Sequence, residues 1–281
     1  MRIEPLWSPV VATGDNAWQP KSELAHTGCT SDATGVRSAR TNASNPMRTL
    51  SNPGRLRRLG AALCMIGAPL TLLVGALLHP DSGGSTSAHI AAIAANPGRN
   101  YASHTTILVG LVLFLGAILG LVHLLRQRAP AAANVGGALA IVGLFGATSI
   151  VAVDGIAFTQ IGQPDADAQE MAALLDRIME SAGARAIAVV GALSFLAGML
   201  VLAYGLWRTR AVPSWLAPGV AAAAIVFFVG QVTDSRVIIA VAFAAYLVTL
   251  GLLSRTVLTQ SDQEWEGQPP TPVPPAQPAV G

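Results

Sequence analysis

Between Arg58 and Arg255 the chain is organised as six long apolar runs separated by short polar segments. They cover about Leu59–Leu78, Thr105–Leu125, Val135–Ala157, Ala186–Trp207, Trp215–Val232 and Val237–Leu253. A bilayer core of about 30 Å needs roughly 20 apolar residues of helix to cross it. Backbone polar groups in lipid must be paired within the segment, so runs of this kind are helices; strands of a barrel would alternate in polarity, and these do not. The pattern predicts an all-α, polytopic membrane helix bundle with six transmembrane helices.

The segments between the runs are uneven. From His79 to His104 the loop contains an Ala-rich stretch, Ser85 to Ala95, that reads as a short helix ended by Asn96-Pro97. Between Phe158 and Arg185, Asp167 and Glu170 have capping-box spacing. Met171, Leu174, Leu175, Ile178 and Met179 then fall on one helical face, and Gly183 suits a stop. This is expected to be a short amphipathic helix on the membrane surface or capping the bundle.

Outside residues 57–256 the character changes. Residues 1–56 are rich in Ser, Thr, Asn and Pro and are expected to be disordered. Residues 1–46 are read as an upstream extension from a misplaced start, because Met47 precedes Arg48, Arg55, Arg57 and Arg58. Residues 257–281 are expected to be a disordered, Pro-rich tail.

Composition agrees with a lipid solvent. Hydrophobic residues make up 52% of the 281 and charged residues only 11%, too few to cover a soluble surface. A net charge of +2 without a basic patch argues against nucleic acid as a partner. The expected partner is the lipid bilayer, and no protein partner is identified. Cys29 and Cys64 belong to different regions and imply no disulfide framework.

Arginine sets the expected orientation. Arg48, Arg55, Arg57, Arg58, Arg126, Arg128, Arg208, Arg210 and Arg255 would share one side; Arg99, Arg177, Arg185 and Arg236 would share the other. The excess puts both termini in the cytoplasm. Small residues suit close helix packing: Gly116 and Gly120 in the second run, and Gly136, Gly137, Ala140, Gly143 and Ala147 in the third.

Candidate chemistry gathers at the outer ends. Asp154 lies in an apolar context late in the third run, and ionisable groups at that depth are costly and often functional. His79 closes the first run and His104 opens the second on the same side; Arg185, Asp234 and Arg236 join them, with Asp81 and His89 in the first loop. The simplest disposition pairs Asp154 with Arg185 or Arg236 and leaves the histidines in interfacial water. Alternatively the group lines an outward cavity that binds a small ligand or protons. In a third arrangement His79, His104 and Asp154 hold a divalent metal, since imidazole and carboxylate suit zinc. No cofactor motif is present, whether P-loop, dinucleotide fingerprint, nucleophile elbow or c-type haem site.

The segment His79-Pro80 to Ser103-His104, the Gly/Leu-rich run ending in Leu124-Leu125-Arg126, and Asp154-Gly155 resemble a group of actinobacterial six-helix integral membrane proteins of unknown function. The resemblance covers about residues 55–255. It implies fold and location, a bacterial cytoplasmic membrane, and no activity. The expected role is therefore a non-enzymatic binding, sensing or accessory protein with an outward-facing polar cavity. A small proton-coupled transporter and a metal-dependent membrane hydrolase are the alternatives.

Overall fold

The computed structural model describes residues 53–80, 86–161 and 167–267. Of the segment 1–56 expected to be disordered, residues 1–52 lie outside them, as does the Pro-rich segment from 268, whereas residues 53–56 are helical and begin the first helix. Among the described residues the regular structure is helical: α1 (Pro53–Leu78), α2 (Thr86–Ala95), α3 (Pro97–Leu125), α4 (Pro130–Ile161), α5 (Ala168–Glu180), α6 (Ala182–Thr209), α7 (Leu216–Val232), α8 (Arg236–Thr259) and α9 (Asp262–Glu266). Five of these (α1, α3, α4, α6 and α8) are long and apolar enough to cross a membrane. Leu63, Val112, Phe145, Val189 and Val237 point outward and are more than half exposed, a surface that water would disfavour and lipid accepts.

Each of the six apolar runs falls within a helix, except that Trp215 caps α7 from outside, and several helices extend further. α3 begins at Pro97 and α8 continues to Thr259. Among the helices that carry the six runs, α7, at 17 residues, is the shortest; at 1.5 Å per residue it is about 26 Å long. The order of packing is a ring, α1 against α3, α3 against α4, α4 against α6, α6 against α7, α7 against α8, and α8 back against α1. Aromatic rings from four of these helices meet inside it. Phe114 of α3 stands edge-on to Tyr246 of α8 at 5.5 Å and beside Phe195 of α6 at 5.6 Å, and Phe227 of α7 joins them.

Small residues let the helices approach. A Cβ placed on Gly120 would lie 2.8 Å from Met65 Cε and 3.1 Å from Ala61 Cβ of α1. The Gly116/Gly120 pair is thus spent on packing within the chain. Along α4, Gly136, Ala140, Gly143 and Gly146 meet Gly191, Phe195 and Gly198 of α6, where backbone touches backbone. Van der Waals contact of this kind replaces the hydrophobic drive that lipid removes.

Two expectations are corrected. Gly183 does not stop the amphipathic helix. α5 ends at Glu180, and Ser181 both closes it and caps α6 through Ala184 N–H. Residues 257–267 do not begin a disordered tail. They complete α8 and form α9, which Ser261 and Glu264 start with a reciprocal capping box. The Ser261 N–H donates to Glu264 and holds its carboxyl below the usual carboxylate range. Trp265 is buried and stacks on His123 at 4.0 Å, while Asp262 pairs with Arg58 at 3.0 Å. α9 therefore ties the start of α1 to the end of α3.

A Cβ on Gly198 would overlap the backbone of Ala140. Gly198→Val is expected to destabilise the bundle by about 1–3 kcal/mol or more. Gly183→Ala, which meets nothing within 4 Å, should be neutral or stabilising by about 0.5–1 kcal/mol. Thermal unfolding in detergent measures both; equal midpoints for the two variants contradict the crossing.

Candidate functional site

At the end of the bundle opposite α9, four elements deliver one cluster. His79 follows the last turn of α1, His89 sits on α2, His104 lies two turns into α3, and Asp154 lies near the end of α4. The Nε2 atoms of His104, His89 and His79 stand 3.0, 3.5 and 4.0 Å from the Asp154 carboxylate. Three of the chain's five histidines thus surround one carboxylate.

Local structure explains the convergence. α3 starts at Pro97, a residue that suits the first helical turn, so His104 is inside the helix and its side chain is only 4% exposed. Ser103 donates to the Gly75 carbonyl at 2.8 Å, and Arg99 donates to the Leu78 carbonyl at 2.7 Å. These two bonds pin the end of α1, and with it His79, to the start of α3. Gly155 admits His104 to α4, since a Cβ there would stand 2.6 Å from His104 Cβ. α2 is held by α5: Ile90 and Ile93 pack on Leu175, and Thr86 donates to Asp176 at 2.6 Å. The amphipathic helix expected as a lid therefore supports the helix that carries His89.

Hydrogen bonding orients the rings. His104 Nδ1 faces the Asn100 carbonyl at 2.9 Å, and His79 Nδ1 faces the Pro80 carbonyl at 3.0 Å. A carbonyl oxygen only accepts, so Nδ1 carries the hydrogen in each ring. A carboxylate likewise only accepts, so where His104 Nε2 carries a hydrogen it donates to Asp154 Oδ2 at 3.0 Å; where Nε2 is deprotonated, its lone pair faces the same carboxylate and is open to a metal. Backbone carbonyls that fix Nδ1–H in this way are the usual outer support of metal-binding histidines. Asp154 Oδ1 is buried and receives no hydrogen bond among the described residues, although His89 Nε2 is near. His89 is therefore its nearest described partner, at ion-pair rather than hydrogen-bond distance, which leaves that oxygen able to take a further donor or an ion.

The distances suit such a partner. Ligand atoms of His79, His104 and Asp154 all lie within 4.8 Å of one another. Two zinc bonds of about 2.0–2.1 Å at a tetrahedral angle separate their ligand atoms by about 3.3 Å. The 3.0 and 4.0 Å separations from Asp154 bracket that value. Nitrogen and oxygen donors without thiolate favour zinc over softer ions.

The remaining candidates fall elsewhere. Arg236 donates to the His79 carbonyl at 3.3 Å, and Arg185 donates to the Glu180 carbonyl. Neither forms an ion pair with Asp154 among the described residues, so the arginine pairing expected for it is replaced by imidazoles. Asp234 is exposed, with a left-handed backbone at φ 48°, in the turn between α7 and α8. Asp81 lies outside the described residues. His89 was not among the expected metal ligands; as the single ionisable residue of an otherwise apolar Ala-rich helix, it carried a signal that could have placed it there.

Fold and cluster together define a helical bundle of membrane-spanning character with a His/Asp centre at one end. No family model, curated protein or solved structure matches the chain.

Gly155→Ala is expected to push His104 from α4 and lower stability by about 1–3 kcal/mol. An unchanged unfolding midpoint in detergent contradicts the close approach.

Proposed function

We propose that this is a multi-pass protein of the bacterial cytoplasmic membrane that binds a divalent transition metal, zinc by its donor set, at the outer end of a six-helix bundle. The observation that carries the reading is the convergence of three imidazole Nε2 atoms on Asp154, two of them with Nδ1 already engaged by backbone carbonyls. His79, His104 and Asp154 are the core ligands. His89 arrives on a separate short helix, so its approach or withdrawal would close or open the fourth position. That arrangement favours a binding or sensing role, in which metal occupancy is read out through α2 and α5.

Metal-dependent hydrolysis is the second reading. It is favoured by an apolar groove that reaches Asp154 from the side; a three-ligand zinc with a water in the fourth position is the form that activates water.

Purified protein reconstituted with zinc and dialysed should retain about one equivalent by elemental analysis. His104→Ala and Asp154→Asn should each lower affinity by at least about tenfold, while His123→Ala, at the other end, should not. Zinc no higher than in the His104→Ala protein overturns the reading.

The six-span topology with both termini in the cytoplasm rests on the arginine distribution and on the up-and-down alternation of the helix ends. α7 lies antiparallel along α8: Gly219 approaches Thr249 while Gly230 approaches Ile239. A C-terminal alkaline phosphatase fusion should be inactive and a fluorescent-protein fusion bright. The reverse result overturns the orientation.

A further inference from the structure

Beside the histidine cluster a groove of about 250 Å³ opens between α4, α5 and the start of α6. Ile150, Val153, Ile178, Ile187 and Ala188 form its walls. Its polar lining residues are His89, Ser149, Asp154 and Arg185; α4 and α6 run antiparallel, with Gly146 against Gly191, so Asp154 and Arg185 fall toward the same end. Ile150, Val153, Ile187 and Ala188 belong to helices of membrane-spanning character and Ile178 to the amphipathic α5, and Val153, Ile178 and Ile187 are each more than a third exposed. In a bilayer such a groove is open to acyl chains rather than to water.

Charge selects the occupant. No carboxylate among the described residues pairs with Arg185, whose one hydrogen bond to a described residue goes to the Glu180 carbonyl. A guanidinium presents five donors and suits a carboxylate bidentately. A metal held by Asp154 and the histidines would add a second positive group within the same pocket. An apolar slot with two cationic groups at its polar end is complementary to one kind of molecule: a long chain ending in an acid.

We propose that the groove binds a long-chain fatty acid from the bilayer, its chain along α4 and α6 and its carboxylate between Arg185 and the metal. The proposal rests on the metal-centre reading. It makes the protein a site where a membrane amphiphile and a metal ion are bound together, and it names the substrate class if the centre is hydrolytic: an acyl ester whose product is that acid.

The test uses full-length, zinc-loaded protein in phosphatidylcholine nanodiscs and a photoreactive diazirine analogue of palmitic acid. The probe should label peptides containing residues 149–154 or 184–188. Filling the groove with Ala188→Trp should reduce labelling by about tenfold with zinc content unchanged, and Arg185→Gln should weaken it by a similar factor. The matching fatty alcohol should label at least about tenfold less than the acid. Equal labelling by acid and alcohol, or labelling indifferent to Ala188→Trp, overturns the proposal and identifies the groove as ordinary lipid contact, leaving the metal reading intact. Absence of zinc, seen by elemental analysis before any probe is added, removes the metal reading and this proposal with it. If Ala188→Trp loses its zinc through misfolding, Ile150→Phe fills the same groove from α4 and is judged by the same criteria.

Discussion

A carboxylate inside an apolar helix bundle has to be met by groups that compensate its charge, and Asp154 sets that requirement here. Stripping an ion of water costs several kcal/mol even after relaxation. The chain answers with imidazoles from three different elements, and that answer fixes much of the geometry at this end. His104 can reach Asp154 only because α3 starts early and Gly155 lacks a side chain. His79 can reach it only because Ser103 and Arg99 hold the end of α1 against α3. His89 needs α2, and α2 needs the amphipathic face of α5. The short helices outside the main ring are therefore part of the site's support.

The two ends of the bundle are built on different principles. One end is closed by α9, whose Trp265 and Asp262 engage His123 and Arg58 and bind three helix ends together. Between the ends, glycine and alanine bring α4 and α6 into backbone contact, and an aromatic group occupies the interior. Little in that middle can move without losing packing. The cluster end includes smaller elements, α2 and α5, joined by the Thr86–Asp176 hydrogen bond and a small apolar cluster around Ile93 and Leu175. Conformational response to a ligand would be cheapest there.

Hydropathy made the long helices legible because membrane spans must satisfy their own backbone and present apolar side chains outward. The loop helices were also legible, from Asn96-Pro97 and from the Asp167 cap. What periodicity does not carry is which polar residues meet. His79 and Asp154 are 75 positions apart, and their contact depends on the ring order of the helices. Arg185 and Arg236 looked like the natural partners of Asp154 by charge, yet nearer backbone carbonyls take them first. The error over Gly183 has a similar cause. A serine that caps one helix while ending another is as good a boundary as a glycine, and Ser181 came first. Trp265 sat in a polar, Pro-flanked context that masked its burial.

The distinction between a structural and a functional histidine cluster turns on redundancy. One hydrogen-bonding partner, with a second charge nearby, would suffice to neutralise a single carboxylate. Here three imidazoles turn the same ring nitrogen toward it, and for two of them the other nitrogen is committed to the backbone. If neutralisation were the sole demand, His79 and His89 would gain little at 4.0 and 3.5 Å, beyond the range of a good hydrogen bond. Those distances, with the ligand atoms of His79, His104 and Asp154 within 4.8 Å of one another, are compatible with an ion shared between them. A centre of that kind, beside an apolar groove that Arg185 also lines, supports the proposal that the cluster binds an ion as well as holding helices together.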